Sequence, residues 1–201
     1  MPPLTPESQI IRARNVTASE VGALLDKHPY ASPRSIYDRL SDPVAWEMLR
    51  DPQSEAMYLG TFFESRIASY AAQKLGLRLR ANRRTREHPH HRLCATSDYY
   101  VVGHRMLIEC KLSSIMYGWS EDDLFPHIEW QARAQLAVTD RDVCIIAALV
   151  GSRFYSVQVV RDQFKERRML NAVDEMMERL SQGNRPPEME TKVSKAKVGK
   201  S

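Results

Sequence analysis

The spacing of apolar residues predicts helices first, then a run of strands, an isolated helix, a further strand pair and a closing helix. Thr17-Ala18-Ser19-Glu20 fits a capping box, in which a hydroxyl and a carboxylate three residues on satisfy free backbone donors. Val21, Leu24 and Leu25 follow on one face. Ser32-Pro33 puts proline at the first position of a second helix, expected to reach about Leu49 before Asp51-Pro52 breaks it. A third helix is expected over about 55–75. Leu59, Phe62, Phe63, Ile67, Tyr70 and Ala71 give it a broad apolar face, and Gly76 suits its C-terminal cap.

Strands are expected at about 77–81, 83–87, 98–102 and 105–111, the first two as a hairpin. Gly118 and the acidic stretch SEDD lead into a helix over about 127–138. VCIIAALV (143–150) is apolar throughout, as a strand buried on both faces must be, and FYSVQVV (154–160) alternates like its hairpin partner. An amphipathic helix over about 161–182 ends at Gly183. This order predicts an α/β sandwich with a central mixed β-sheet flanked by helices, one domain over 1–183 and a basic, disordered tail over 184–201.

Composition narrows this picture only slightly. The 201 residues are 43% hydrophobic, ample for a core. No stretch approaches the roughly 18 apolar residues of a membrane span, and MPPLTPESQI lacks the regions of a signal peptide. Cys94, Cys110 and Cys144, odd in number and set among apolar residues, read as buried reduced thiols of a cytosolic protein. The net charge of +4 is a mild sign of a polyanionic partner. The run RLRANRRTRE (77–86) is more local, and reads equally as the exposed face of a hairpin.

The chemistry concentrates in SDYYVVGHRMLIECK (97–111). Gly103-His104 suits a two-residue turn, which pairs Val102 with Arg105 and, further out, Asp98 with Glu109. Directly opposed side chains lie roughly 4.5–5.5 Å apart at Cβ, where like charges repel. Lys111 shares the face of Glu109, and Cys110 points to the other. A divalent cation between the carboxylates would remove the repulsion, and Mg²⁺ is commonly held by one or two carboxylates plus phosphate oxygens. A plain ion pair between Glu109 and Lys111 at a strand end explains the same residues.

Other polar positions stand open in the same way. Glu64 either lies exposed on its helix or reaches the charged end of the sheet. Gln131 and Gln135, four residues apart on one helix, either form a polar face or touch a phosphate or water. His88, His90 and His91, with Pro89 among them, read as a loop before a strand at Leu93.

Taken together these residues resemble the PD-(D/E)xK nuclease superfamily, specifically its lambda exonuclease and YqaJ-type viral recombinase branch. The matching words are Arg12 followed by TASEV (17–21), LGTFFE ending at Glu64, TSD (96–98), ECK (109–111) and Q-x-x-x-Q-L-x-V-T (131–139). They occur in order across about residues 10–160. The name's proline is Ser97 here, a frequent replacement.

The resemblance implies a restriction endonuclease-like fold and an Mg²⁺-dependent exodeoxyribonuclease, with Mn²⁺ as a substitute. Asp98, Glu109 and the Cys110 carbonyl would bind the metal, and Lys111 would activate water or steady the scissile phosphate. Glu64 would be an outer or second-metal ligand, and Gln131 would position the water or the lysine. Arg12, Ser19 and Thr96 match the family's 5′-phosphate pocket, although Ser19 reads equally as a polar residue of a helix's first turn. Met57 matches a strand-parting wedge, although ordinary core packing explains a methionine there.

By the same analogy the enzyme would degrade one strand of linear duplex DNA from 5′-phosphorylated ends. It would act as a homotrimeric ring beside a single-strand annealing protein, in the cytoplasm of a bacterial host of a phage or prophage. The rival readings are an endonuclease of the same superfamily and a non-catalytic DNA-binding recombination protein.

Overall fold

The computed structural model describes residues 5–44, 54–82, 84–120 and 122–188. In chain order its elements are α1 (Pro6–Arg14), β1 (Val16–Thr17), a 3₁₀ turn (Ala18–Glu20), α2 (Val21–Leu24), α3 (Pro33–Ser41) and α4 (Glu55–Leu75). Then come β2 (Leu79–Ala81), β3 (Arg86–Glu87), β4 (Leu93–Ala95), β5 (Tyr99–Val101), β6 (Met106–Ser113), α5 (Pro126–Thr139), β7 (Val143–Val150), β8 (Arg153–Val160) and α6 (Gln163–Ser181).

Five strands form the main sheet in the order β2-β5-β6-β7-β8. Only β6 and β7 run parallel, and α5 is the crossover a parallel pair requires. A second sheet, β1-β4-β3, is small, with β1 parallel to β4. The expected mixed sheet flanked by helices is therefore present, with a satellite sheet beside it.

Strand alternation divides the core. Leu107 packs toward α5 with Ala132, Leu136 and Ile146, while Ile108 packs toward α4 with Ile67, Ala71 and Ala147. As its composition predicts, β7 feeds both layers. A third apolar cluster joins the small sheet to α2, α3, α5 and α6 through Val16, Leu93, Val21, Ile36, Trp130 and Met169.

Local signals set most boundaries. Ser32 and Ser54 accept backbone N–H groups at the starts of α3 and α4, and Asp162 does so for α6. Gly76 and Gly183 take positive φ just past α4 and α6, where a side chain would be strained.

Three expectations need correction. The second helix stops at Ser41, because Asp42 precedes Pro43 and leaves the helical region; Leu49 and the Asp51-Pro52 break lie outside the described residues. The segments near 77–81 and 83–87 do not form a hairpin. β2 pairs with β5 and β3 with β4, and Asn82 marks the departure, its amide bonding the carbonyls of Ser97 and Arg84. On α4 only the side facing β6 and β7 is covered, so Phe62 and Tyr70 stay 61% and 51% exposed.

Past Gly183 the chain runs back over the domain, and Arg185 makes a double hydrogen bond to Asp38 at 2.7 and 2.6 Å. Residues 189–201 lie outside the described residues.

Candidate active site

The β5–β6 ladder pairs Tyr99 with Ile108 and Tyr100 with Leu107, so one step further out Asp98 faces Glu109, the register read from the sequence. The turn itself is longer than expected. His104 N–H bonds the Val101 carbonyl, Val102 and Gly103 are central, and Arg105 leaves the ladder to bind Asp140 and Asp142. Register survives because the pairs further along the strands are apolar and buried.

Both carboxylates are almost wholly buried, Asp98 at 8% and Glu109 at 5% exposure. Asp98 Oδ2 accepts the Cys110 N–H at 2.8 Å. Glu109 collects three donors: Lys111 Nζ at 2.8 Å and Gln131 Nε2 at 2.6 Å on Oε1, and Gln135 Nε2 at 2.6 Å on Oε2. Lys111 also donates to Gln131 Oε1 at 2.9 Å, closing a ring of three side chains. The crossover helix α5 supplies both amides, four residues apart and thus on one face.

Electrostatics follow from this crowding. Burial, then the charges of Glu109 and Glu64, push the Asp98 carboxyl well above its usual range, against the Cys110 N–H and Lys111. Burial followed by the charge of Glu109 also raises Glu64, which α4 brings within electrostatic reach of both carboxylates. Burial opposes the Lys111 charge, but Glu109 and Asp98 outweigh it and hold the ammonium protonated. Burial pushes the Cys94 thiol up to about 12, and raises Cys110 and Cys144 as well; all three cysteines are free.

This donor set fits a hard divalent cation. Three carboxyl groups meet one ammonium, and about one of the roughly four lone-pair positions of Glu109 remains after its three donors. Among the described residues no three His, Cys, Asp or Glu side chains cluster closely enough to hold an ion unaided. Such a site suits Mg²⁺, which needs few protein ligands when water and phosphate complete its shell.

The residues expected at a 5′-phosphate meet only in part. Parallel pairing of Thr17 with Cys94 leaves Ser19 and Thr96 two residues beyond the same end of the ladder. Ser19 is exposed, its hydroxyl 3.1 Å from Thr17 Oγ1, and Thr96 Oγ1 lies 2.7 Å from Thr85 Oγ1. Arg12 sits in the last turn of α1, its carbonyl accepting Arg39 Nη1 at 2.8 Å. Arg39 also donates to both oxygens of Glu20, whose carboxylate completes the capping box at Thr17. Met57 is 50% exposed in the first turn of α4, so core packing does not account for it. His88, His90 and His91 lie in the loop before β4, where His91 pairs with Asp174. Arg80 and Arg86 of the basic run lean with Arg141 over the Tyr100 ring at 5.8, 5.8 and 5.1 Å.

The spacing of Gln131 and Gln135 marks them as a pair, but for a phosphate or a water; the structure instead buries Gln135 fully against Glu109. A chain of aromatic and histidine rings beside Lys111 escapes the sequence reading, because its members come from segments 28–30 and 117–127, far apart along the chain.

Comparison with known proteins bears on the fold and the family. The alkaline exonuclease LHK-Exo of Laribacter hongkongensis superposes with a TM-score of 0.71 at 18% identity, covering 90% of this chain and 94% of that one. Its complex with dAMP gives 0.73 at 19% over the same shares. A phage-related exonuclease from Haemophilus somnus 129PT gives 0.61 at 14%, covering 87% and 98%. These likenesses establish the fold, that of the PD-(D/E)xK type. The uncharacterized protein YqaJ of Bacillus subtilis (strain 168) is 22% identical over 159 residues, 76% of this chain and 49% of that protein, so the chain spans about half that relative's length. The profile of the YqaJ-like viral recombinase domain matches residues 9–142, and this chain belongs to that family.

Proposed function

We propose that the protein is a Mg²⁺-dependent exodeoxyribonuclease that degrades one strand of linear duplex DNA from 5′-phosphorylated ends. The 3′ single-stranded tails it leaves would serve recombination by strand annealing. The observation that carries this reading is the burial of Asp98 opposite Glu109, with Lys111 hydrogen-bonded to Glu109 and Gln131. Exonuclease activity in the structural relatives supports it by analogy.

Asp98 and Glu109 would hold the cation, with the Cys110 carbonyl beside them and Glu64 as the outer carboxylate. When bound, Mg²⁺ would supply a more acidic water and positive charge facing the scissile phosphate. Lys111 adds positive charge where the phosphate oxygens gain negative charge, and Gln131 and Gln135 fix the carboxylate that orients it. Arg12, with a planar fork suited to phosphate, and the hydroxyls of Ser19 and Thr96 take the 5′-phosphate. Met57, exposed on the same helix as Glu64, parts the strands. A ring of three subunits and a partner annealing protein complete the reading, which places the enzyme in the cytoplasm of a phage- or prophage-bearing bacterium.

Digestion of linear 5′-phosphorylated duplex DNA, beside a covalently closed circle, with Mg²⁺ and with EDTA, tests the activity. Loss of the linear DNA alone, only with Mg²⁺, is expected. Cutting of the circle would replace the exonuclease with an endonuclease, and binding without cleavage would leave a non-catalytic DNA-binding protein.

A further inference from the structure

Lys111 has a second surface. Beyond its bonds to Glu109 and Gln131 it lines a cavity of about 600 Å³ whose other walls are largely rings. They form a continuous chain. Tyr30 lies 6.2 Å from His28, His28 5.3 Å from His127, and His127 5.8 Å from Phe125. Phe125 in turn lies 5.6 Å from Tyr117 and 5.5 Å from Trp119.

The wall is built, not incidental. Trp119 is buried and its indole N–H bonds the Ile115 carbonyl at 2.7 Å, which pins the loop after β6. Gly118 has φ +79, and a Cβ there would meet the Phe125 ring at 2.6 Å, so only glycine lets that ring close the wall. On the other side, His28 Nδ1 accepts the N–H groups of Tyr30 and Ala31 at 3.1 and 2.9 Å, which holds the loop and fixes the proton of the neutral ring on Nε2. Against this frame the two end rings are open: Tyr30 is 89% exposed and Tyr117 69%.

Tyr30 and Tyr117 both line the cavity and leave ring faces open, the kind of surface on which a nucleic-acid base stacks. The size suits a small ligand, and the lining is apolar with a few polar groups, as in binding pockets generally. Lys27 and Lys111 add positive charge to the same wall.

We propose that this cavity seats the base of a nucleotide adjoining the scissile phosphate, stacked on Tyr30 or Tyr117. The proposal rests on the nuclease reading of Lys111 above. Stacking on a tyrosine face tolerates any base, which suits an enzyme that advances through sequence without choosing it. A pocket that grips the base next to Lys111 also sets the position of the phosphate attached to it.

The test uses the full-length protein with Ca²⁺ replacing Mg²⁺, and 5′-phosphorylated duplexes carrying 2-aminopurine at the terminal or the penultimate position of the strand to be cut. A dye at the far end of the duplex reports overall binding. Wild-type protein is expected to change 2-aminopurine emission at one of the two positions. Tyr30→Ala or Tyr117→Ala should abolish that change, Tyr→Phe at the same site should preserve it, and overall affinity should fall by no more than roughly tenfold. In Mg²⁺ the same alanine variant should lower kcat/KM about tenfold or more, with part of the loss in kcat because the phosphate is no longer positioned, and Tyr→Phe should restore it.

No emission change at either position, or a change that survives both alanine substitutions, would overturn the pocket. Cleavage without the emission change sinks the pocket alone. An emission change without cleavage by wild type in Mg²⁺ sinks the nuclease reading and leaves the pocket standing.

Discussion

Gln135, wholly buried on α5, donates a 2.6 Å hydrogen bond to Glu109 Oε2, on the carboxylate oxygen that Lys111 does not touch. Its own carbonyl oxygen lies 3.8 Å from the Cys144 thiol, so the amide spans from β7 to the site. A buried carboxylate held on both oxygens cannot rotate, so the orientation of Glu109 is set before any substrate arrives.

Replacing this amide separates positioning from chemistry. Gln135→Leu keeps volume and removes the donor, leaving a buried acceptor unmet at a cost of about 2 kcal/mol. Urea unfolding should show that loss, and cleavage should fall roughly tenfold, a typical effect of an outer partner. Unchanged stability with unchanged rate would mean that Glu109 is held by Gln131 and Lys111 alone.

Lys111 contributes charge more than structure. Glu109 retains two amide donors when it is removed. Lys111→Ala should therefore still fold and bind DNA, at a stability cost of about 3 kcal/mol because buried Glu109 loses its counter-charge, while cleavage drops at least about 100-fold, as when a transition-state donor is removed. Activity within a few-fold of wild type would displace the site.

The 5′-phosphate assignment depends on a partly buried arginine behind it. Arg39 joins both oxygens of Glu20 to the carbonyls of Arg12 and Asn15, with 12% of its side chain exposed. Arg39→Met should cost about 3 kcal/mol, since it strands a largely buried carboxylate. Arg12→Ala, in contrast, should leave stability unchanged and erase the preference for phosphorylated over hydroxyl ends. Competition between the two ends checks this, and an intact preference would move the pocket elsewhere.

Acid should loosen the wall beside Lys111. Burial, then repulsion from His28 once it is protonated and from the Lys111 ammonium, lower the His127 pKa from 6.5 to about 4. The unfolded chain takes its proton near pH 6.5, the folded protein only near 4, so falling pH favours unfolding across that window. The contribution is complete above about pH 6.5 and is lost as pH falls through about 4. His127→Phe should flatten the decline in urea midpoint between about pH 7 and pH 4.5 relative to wild type. An identical decline in both proteins would show that His127 is not held neutral.

Much of the chemistry is legible in one segment. A strand alternates side chains with a period of two, so a turn near Gly103 is enough to place Asp98 opposite Glu109 and Lys111 beside it, even though the turn proves longer than two residues. Capping residues and glycines mark the ends of α4 and α6 for an equally local reason. The end of α3 escapes the pattern because the Asp42-Pro43 break weighs less in it than the apolar residues that follow.

Local rules say nothing about which surfaces meet. Whether β2 pairs with β3 or β5, whether α4 buries Phe62 or only Ile67 and Ala71, and which oxygen Gln135 reaches all depend on how the sheet is covered. The crossover from β6 to β7 decides most of this, because it lays α5 on the face of β6 that carries Glu109 and Lys111. The sequence by itself determined the pair of opposed carboxylates and their lysine. Only the tertiary structure decided what holds them and what stands beside them, because hydrogen bonds and ring contacts between distant segments follow from packing, and packing has no period in the chain.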